Sequence, residues 1–255
     1  MLILLPPSET KRPGGRRSVL DVSRLSFPEL APQRESVIEA LVSLAGDPDH
    51  AARVLKLSDR QRDDVADNAA LRTAPTMPAV DRYTGVLYDA LAASDLPRTA
   101  RNWLRAHVVI HSAPFGPVGA LDAIPSYRLA AGTSVPGLPS LRRVWADAVT
   151  AALATSAPRF VLDLRSEAYV ALGPVPDGIP SVYLRVVAET SGSGTGGAVR
   201  ALNHFNKHAK GALVRRLAES RPRVGSVSGL RRWADESGLD LRTGARGELD
   251  LVVGS

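Results

Sequence analysis

The chain has 255 residues, 44% of them apolar and 23% charged, with a formal net charge of +6. This composition excludes wholesale disorder, and the length allows one large domain or two small ones with a core that needs no staple. Cysteine is absent, which excludes disulfides, thiolate nucleophiles and cysteine-ligated zinc or iron–sulfur centres.

The run Leu2–Leu5 reads as a short buried strand stopped by Pro6-Pro7. It is too short for a signal h-region, and no stretch approaches the roughly 18 apolar residues of a membrane span, so a soluble cytoplasmic protein is expected. Helical periodicity runs from Glu29 to Ala45, with Val37, Leu41 and Leu44 on one face, and shorter helices are expected at 49–57 and 59–70. Tyr83–Leu91 reads as a turn entering a helix, and Phe115–Gly119 as a turn rich in Gly and Pro. Further strands are expected at 107–111, 160–164, 182–188 and 248–253, with helices at 139–155, 204–220 and 226–236. Ala198–Leu202 reads as another strand, after the Gly/Ser/Thr run 190–197. Strands interleaved with helices, with no dividing linker, predict a single α/β or α+β domain: a mixed central sheet flanked by helices.

Three expected strands run into loops that carry Ser8, Ser112 and Ser166. In open α/β sheets ligands sit beyond the carboxyl ends of the strands. If these strands are parallel neighbours, Ser8, Glu9, Lys11, Arg165, Ser166 and Glu167 share one rim. Arginine makes up 28 of the 32 basic residues, a skew that a GC-rich genome also produces; the lysines are Lys11, Lys56, Lys207 and Lys210. Ala198–Ala234 carries nine Lys/Arg against the single acid Glu219, so this segment holds +8 and the remainder of the chain −2. A local basic surface of this kind predicts an anionic partner. His204 and His208 have the i, i+4 spacing of a helical zinc pair, but Lys207 and Lys210 beside them would repel a dication, and no metal or other cofactor is expected. Gly192–Gly197 fits G-x-G-x-x-G formally, yet the strand expected after it makes a hairpin turn the better reading. Neither G-x-S-x-G, G-x-x-x-x-G-K-[ST] nor H-E-x-x-H occurs.

Several landmarks together resemble the YaaA peroxide-stress protein family. They are the start Met1–Lys11, Tyr83–Leu91, Phe115–Leu129, Asp163–Tyr169, Asn206–Arg215 and Gly247-Glu248-Leu249, in family order. The resemblance implies one domain over residues 1–255, a helix-hairpin-helix-like element at about 113–123, and a positively charged cleft that binds DNA or another polyanion in the peroxide-stress response. Arg128, Arg165, Lys207, Lys210 and Arg215 would contact phosphates. Gly116 and Gly119 would allow close backbone approach, and Tyr83, Tyr88, Tyr127 and Tyr169 would line the cleft. A monomer is expected.

A second reading is an enzyme for a small anionic substrate, a nucleotide or a phosphorylated or carboxylated metabolite. Ser8, Glu9, Lys11, Arg165, Ser166, Lys207 and Lys210 would surround it, with Glu9 as general base and Lys207 or Lys210 as electrostatic stabiliser or nucleophile. A third is an interaction protein that uses the basic stretch 221–233.

Overall fold

Leu2–Leu5 has no polar residue within it, the pattern of a strand covered on both faces. It forms β1 (Leu2–Leu5), an interior strand of the sheet, in a computed structural model that describes all residues except 17–18, 189–197 and 254–255. The other strands are β2 (Met77–Pro78), β3 (Val108–Ser112), β4 (Gly116–Gly119), β5 (Ala123–Ile124), β6 (Val161–Asp163), β7 (Ser181–Ala188), β8 (Asp240–Thr243) and β9 (Glu248–Val253). Among the described residues, seven of them make one mixed sheet in the order β4-β3-β1-β6-β7-β9-β8, and β2 pairs with β5 apart from it. From β3 through β9 neighbouring strands are parallel; β4 and β8, the two edges, run antiparallel.

Among the described residues, ten α-helices flank these strands: α1 (Ala31–Leu44), α2 (Pro48–Val54), α3 (Asp64–Ala69), α4 (Ala79–Arg82), α5 (Val86–Leu91), α6 (Arg98–His107), α7 (Leu141–Ser156), α8 (Glu167–Val170), α9 (Ala198–Ser220) and α10 (Val227–Glu236). The class is therefore mixed α/β, as the interleaving predicts. Val37, Ile38 and Leu41 of α1, Trp145 and Val149 of α7, and Leu213, Val214 and Leu217 of α9 join β1, β3 and β6 in one apolar core. No described helix is long and apolar enough to cross a membrane.

Two local expectations are corrected. Ala198–Leu202, read as a strand, lies in α9, which opens at Ala198. The glycine run itself lies outside the described residues. Residues 113–123 are not a helix-hairpin-helix element: β4 folds back antiparallel on β3, with Ser112 opposite Gly116 and Ile110 opposite Val118. The cause is Arg34, fully buried in α1, whose guanidinium donates to the carbonyls of Ser26, Phe115 and Pro117. It draws the turn onto the core, and Trp145 packs so closely on Gly116 (φ +61°) that a Cβ there would lie 2.8 Å from the indole ring.

Candidate functional site

From β1 the chain passes to β3 on one side of it and later to β6 on the other, so the order of winding reverses at β1/β6. Such a reversal leaves a crevice outside the carboxyl ends of the two strands. The loops that leave there are Pro6–Lys11 and Arg165–Tyr169. β3, β1 and β6 are parallel neighbours, the condition for Ser8, Ser112 and Ser166 to share a rim. Ser8 is half-buried, Ser166 exposed at the start of α8, and Ser112 fully buried with its hydroxyl accepting from the Phe115 N–H.

At the end of β6 a chain of buried polar groups forms. Asp163 and Arg165, two residues apart on an extended segment, point to the same side. The Arg165 guanidinium grips the carboxylate with two charge-assisted bonds, Nε to Oδ1 at 2.9 Å and Nη2 to Oδ2 at 2.6 Å. Its Nη1 donates to the Gly173 carbonyl at 2.8 Å and lies 3.0 Å from His111 Nδ1. Burial, then the charge of Arg165, pushes the His111 pKa well below its ordinary value, so the imidazole is neutral. Its Nδ1 is the acceptor for Arg165, which leaves the proton on Nε2, a buried atom without a partner.

Lys210 reaches the same place from α9. It is 7% exposed, its Nζ donates to the Leu164 carbonyl at 3.0 Å, and it lies 5.5 Å from the centroid of the Tyr183 ring. No described carboxylate stands within ion-pair distance of it. Burial lowers its pKa to about 8, against the opposing pull of Asp163. It walls a cavity of about 400 Å³ with Glu167, Tyr183, Arg185, Asn206 and Glu248. Arg185 and Glu248 are paired at 3.0 Å, so the charges left facing that space are Lys210 and Glu167. Lys210 is placed by its neighbour: a Cβ on Gly211 would collide with the Leu87 carbonyl, so α9 packs backbone to backbone on α5.

On the β1 side, Lys11 Nζ sits 4.0 Å over the centroid of the Tyr127 ring and donates to the Ser8 and Glu9 carbonyls at 3.2 Å each. Tyr83 and Tyr127 share a hydroxyl–hydroxyl bond of 2.9 Å, and Tyr88 donates to the Pro6 carbonyl at 2.7 Å. Burial raises the pKa of all three phenols far above the ordinary value. Tyr169 is raised in the same way, also mainly by burial. The nearby carboxylates are turned elsewhere: Glu9 and Asp64 toward Arg128, at 3.5 and 3.6 Å, and Asp67 to the Ser126 hydroxyl. Burial and the Arg128 charge bring the Lys11 pKa down to about 7, outweighing Asp67, Asp64 and Glu9.

The remaining predicted residues divide plainly. Lys207 is exposed, as are His204 and His208. Arg215 is spent on the Leu91 and Ala92 carbonyls and on Glu219 at 2.9 Å. Gly116 and Gly119 are buried within β4, and the N–H groups of Phe115 and Gly119 are taken by Ser112 and Asp122, so this turn offers phosphate none of the contacts expected of it. Asp163, His111, Tyr183 and Asn206 were missed by the sequence reading. The i, i+2 spacing of Asp163 and Arg165 at a strand end was the available signal for the first; nothing local marks the other three. A larger groove, about 730 Å³ between α1 and residues 136–139, contains no buried charge.

The sheet order and the polar groups at its switch point define an open-sheet α/β protein with a lysine-bearing crevice. The family model described as peroxide stress protein YaaA matches residues 1–243, and the chain belongs to that family. It is 46% identical over 261 residues to a UPF0246 protein of Corynebacterium efficiens, covering 99% of this chain and all of the relative. A UPF0246 protein of Corynebacterium glutamicum is 41% identical over 94% of each chain. One of Streptomyces coelicolor is 41% identical over 85% of this chain and 82% of its own.

Proposed function

We propose that the cavity beyond the end of β6, walled by residues of α8, β7, α9 and β9, is the active site of an enzyme that takes a small anionic substrate, a nucleotide or a phosphorylated or carboxylated metabolite. The peroxide-stress role in the family's description would then be exercised through a small molecule. The observation that carries this reading is Lys210, a buried ammonium with no carboxylate partner at the wall of a 400 Å³ cavity. Burying a cation without a counter-ion costs free energy that an anionic ligand returns. Lys210 would hold the anion, and the exposed carboxylate of Glu167 across the same cavity would serve as general base in place of Glu9, which is engaged with Arg128. The Asp163–Arg165–His111 chain fixes the β6 end on which Lys210 rests.

Duplex DNA fits this site less well, because of the predicted phosphate contacts only Lys207 is exposed. The two readings part in a competition experiment at about 50 mM salt. Nucleoside phosphates, sugar phosphates and dicarboxylates are tested beside a short duplex, each over a salt series. Binding of a small anion with a shallow salt dependence supports the crevice. Binding of the duplex alone, falling as a high power of salt concentration, overturns it, since multiple phosphate contacts must release counter-ions.

A further inference from the structure

Lys11 is a lysine the proposed anion site does not use, and its surroundings are peculiar. The ammonium would have the ring of Tyr127 on one side and two backbone carbonyls on another. Its charged neighbours are Arg128, Glu9, Asp64 and Asp67, and its titratable ones Tyr83 and Tyr127. Lys11 Nζ and Arg128 Nη1 both donate to the Glu9 carbonyl, at 3.2 and 3.4 Å, so a second cation, itself paired with Glu9 and Asp64, stands directly beside the ammonium. A narrow slot of about 30 Å³, lined by Lys11, Glu9, Leu55, Arg128, Leu129 and Ala130, adjoins it. That is room for a carbonyl group and little more. The remainder of a ligand would lie outside, over the exposed residues Glu9 and Thr10.

We propose that Lys11 is a carbonyl-reactive amine that forms an imine with a small aldehyde entering this slot. Partial desolvation and a neighbouring cation make an amine nucleophilic near neutrality, and Lys11, half-buried against the Tyr127 ring and beside Arg128, has both. The nitrogen lone pair attacks the carbonyl carbon and the C=O π pair moves to oxygen; one of the two nitrogen protons then passes through water to that oxygen, giving a neutral carbinolamine. A proton from solvent lets the hydroxyl leave as water while the nitrogen lone pair forms C=N, and the remaining nitrogen proton returns to solvent. One amine and one aldehyde thus become one imine and one water, with no oxidant or reductant. The proposal borrows from the crevice reading only the idea that the substrate is small; the reactivity rests on Lys11 itself.

The test is reductive trapping of the full chain with limiting acetaldehyde and sodium cyanoborohydride, with N-ethylation read residue by residue by mass spectrometry from pH 6 to 10. Lys56 and Lys207, both exposed, are the internal references, and the Met1 amine is scored separately. Lys11 is expected to label at least tenfold faster than either reference at pH 7. Its rate should level off above about pH 7, while theirs climb toward pH 10. Arg128→Gln should shift the Lys11 profile to higher pH and slow its labelling at pH 7 severalfold; a purely structural lysine would not respond so. Labelling of Lys11 no faster than Lys56, or an unchanged profile in Arg128→Gln, overturns the proposal. Preferential labelling of Lys210 also overturns it, while leaving the crevice reading intact. Loss of anion binding with Lys11 labelling retained would sink the crevice reading and spare this one.

Discussion

At the scale of single residues, two kinds of buried cation need separating. Arg34 and Arg82 are fully buried and saturated by backbone carbonyls, Arg82 by those of Arg12, Pro75 and Ile124. They tie segments together and leave no capacity for a ligand. Arg165 is saturated too, and its dependence on Asp163 is testable. Asp163→Asn would leave a guanidinium that is 1% exposed without its counter-charge, and urea unfolding should show a loss of about 3–5 kcal/mol. Lys210 and Lys11 differ because each borders open space: Lys210, with one carbonyl and a ring face, walls the 400 Å³ cavity, and Lys11, with two carbonyls and a ring face, the narrow slot. The Lys11 pKa, about 7 in the fold, lies below that of an unfolded lysine. Between about pH 7 and 10 the unfolded chain therefore binds the extra proton, and stability rises with pH across that window; below it the full cost of the buried ammonium is present. Thermal melts of the wild type and Lys11→Met should show the wild type gaining on the variant from pH 7 to 9.5, and a constant difference would contradict the assigned surroundings of Lys11.

At the scale of elements, legibility followed periodicity and chain locality. β1, β7, β9, α1, α7 and α10 stand within a few residues of their expected limits because continuous apolar runs and helical spacing mark them directly. β4 was read only as a turn: Gly116-Pro117-Val118-Gly119 is poor in strand-forming side chains, and what holds it is Arg34, more than 80 residues away in sequence. The start of α9 was mistaken because Ala198–Leu202 has apolar residues but no helical polar face to weigh against them, and nothing in that window shows that a helix continues through His204. Of the candidate site, the rim loops were legible from strand-then-loop order alone, whereas the pairing of Lys210 with the end of β6 was not, since it depends on how α9 lies on α5. Gly211 governs that contact. Gly211→Ala should push the helices apart, lower stability by about 1–3 kcal/mol, and weaken anion binding by moving Lys210. Full stability with unaltered binding would show that the close approach is not needed.

At the scale of the whole molecule, a chain of net charge +6 turns out to distribute its basic residues by environment. In the segment that carries most of the excess, Arg215 is consumed by helix-end carbonyls and an acid, Lys207 faces solvent, and Lys210 is folded into the interior at a switch point of the sheet. The overall charge pointed to a polyanion; Lys210, a buried ammonium at a cavity wall with no carboxylate in ion-pair distance among the described residues, points to a small ligand. An anion bound at Lys210 stabilises the ammonium, so binding should draw in a proton and weaken as pH rises through about 8. The direct test is calorimetric titration of the small-anion panel into wild type and Lys210→Met at pH 7 and pH 9. One ligand class is expected to bind the wild type at pH 7, about tenfold more weakly at pH 9, and at least tenfold more weakly to the variant than to the wild type at pH 7. Binding that is equal in the two proteins, or absent from both, would contradict it.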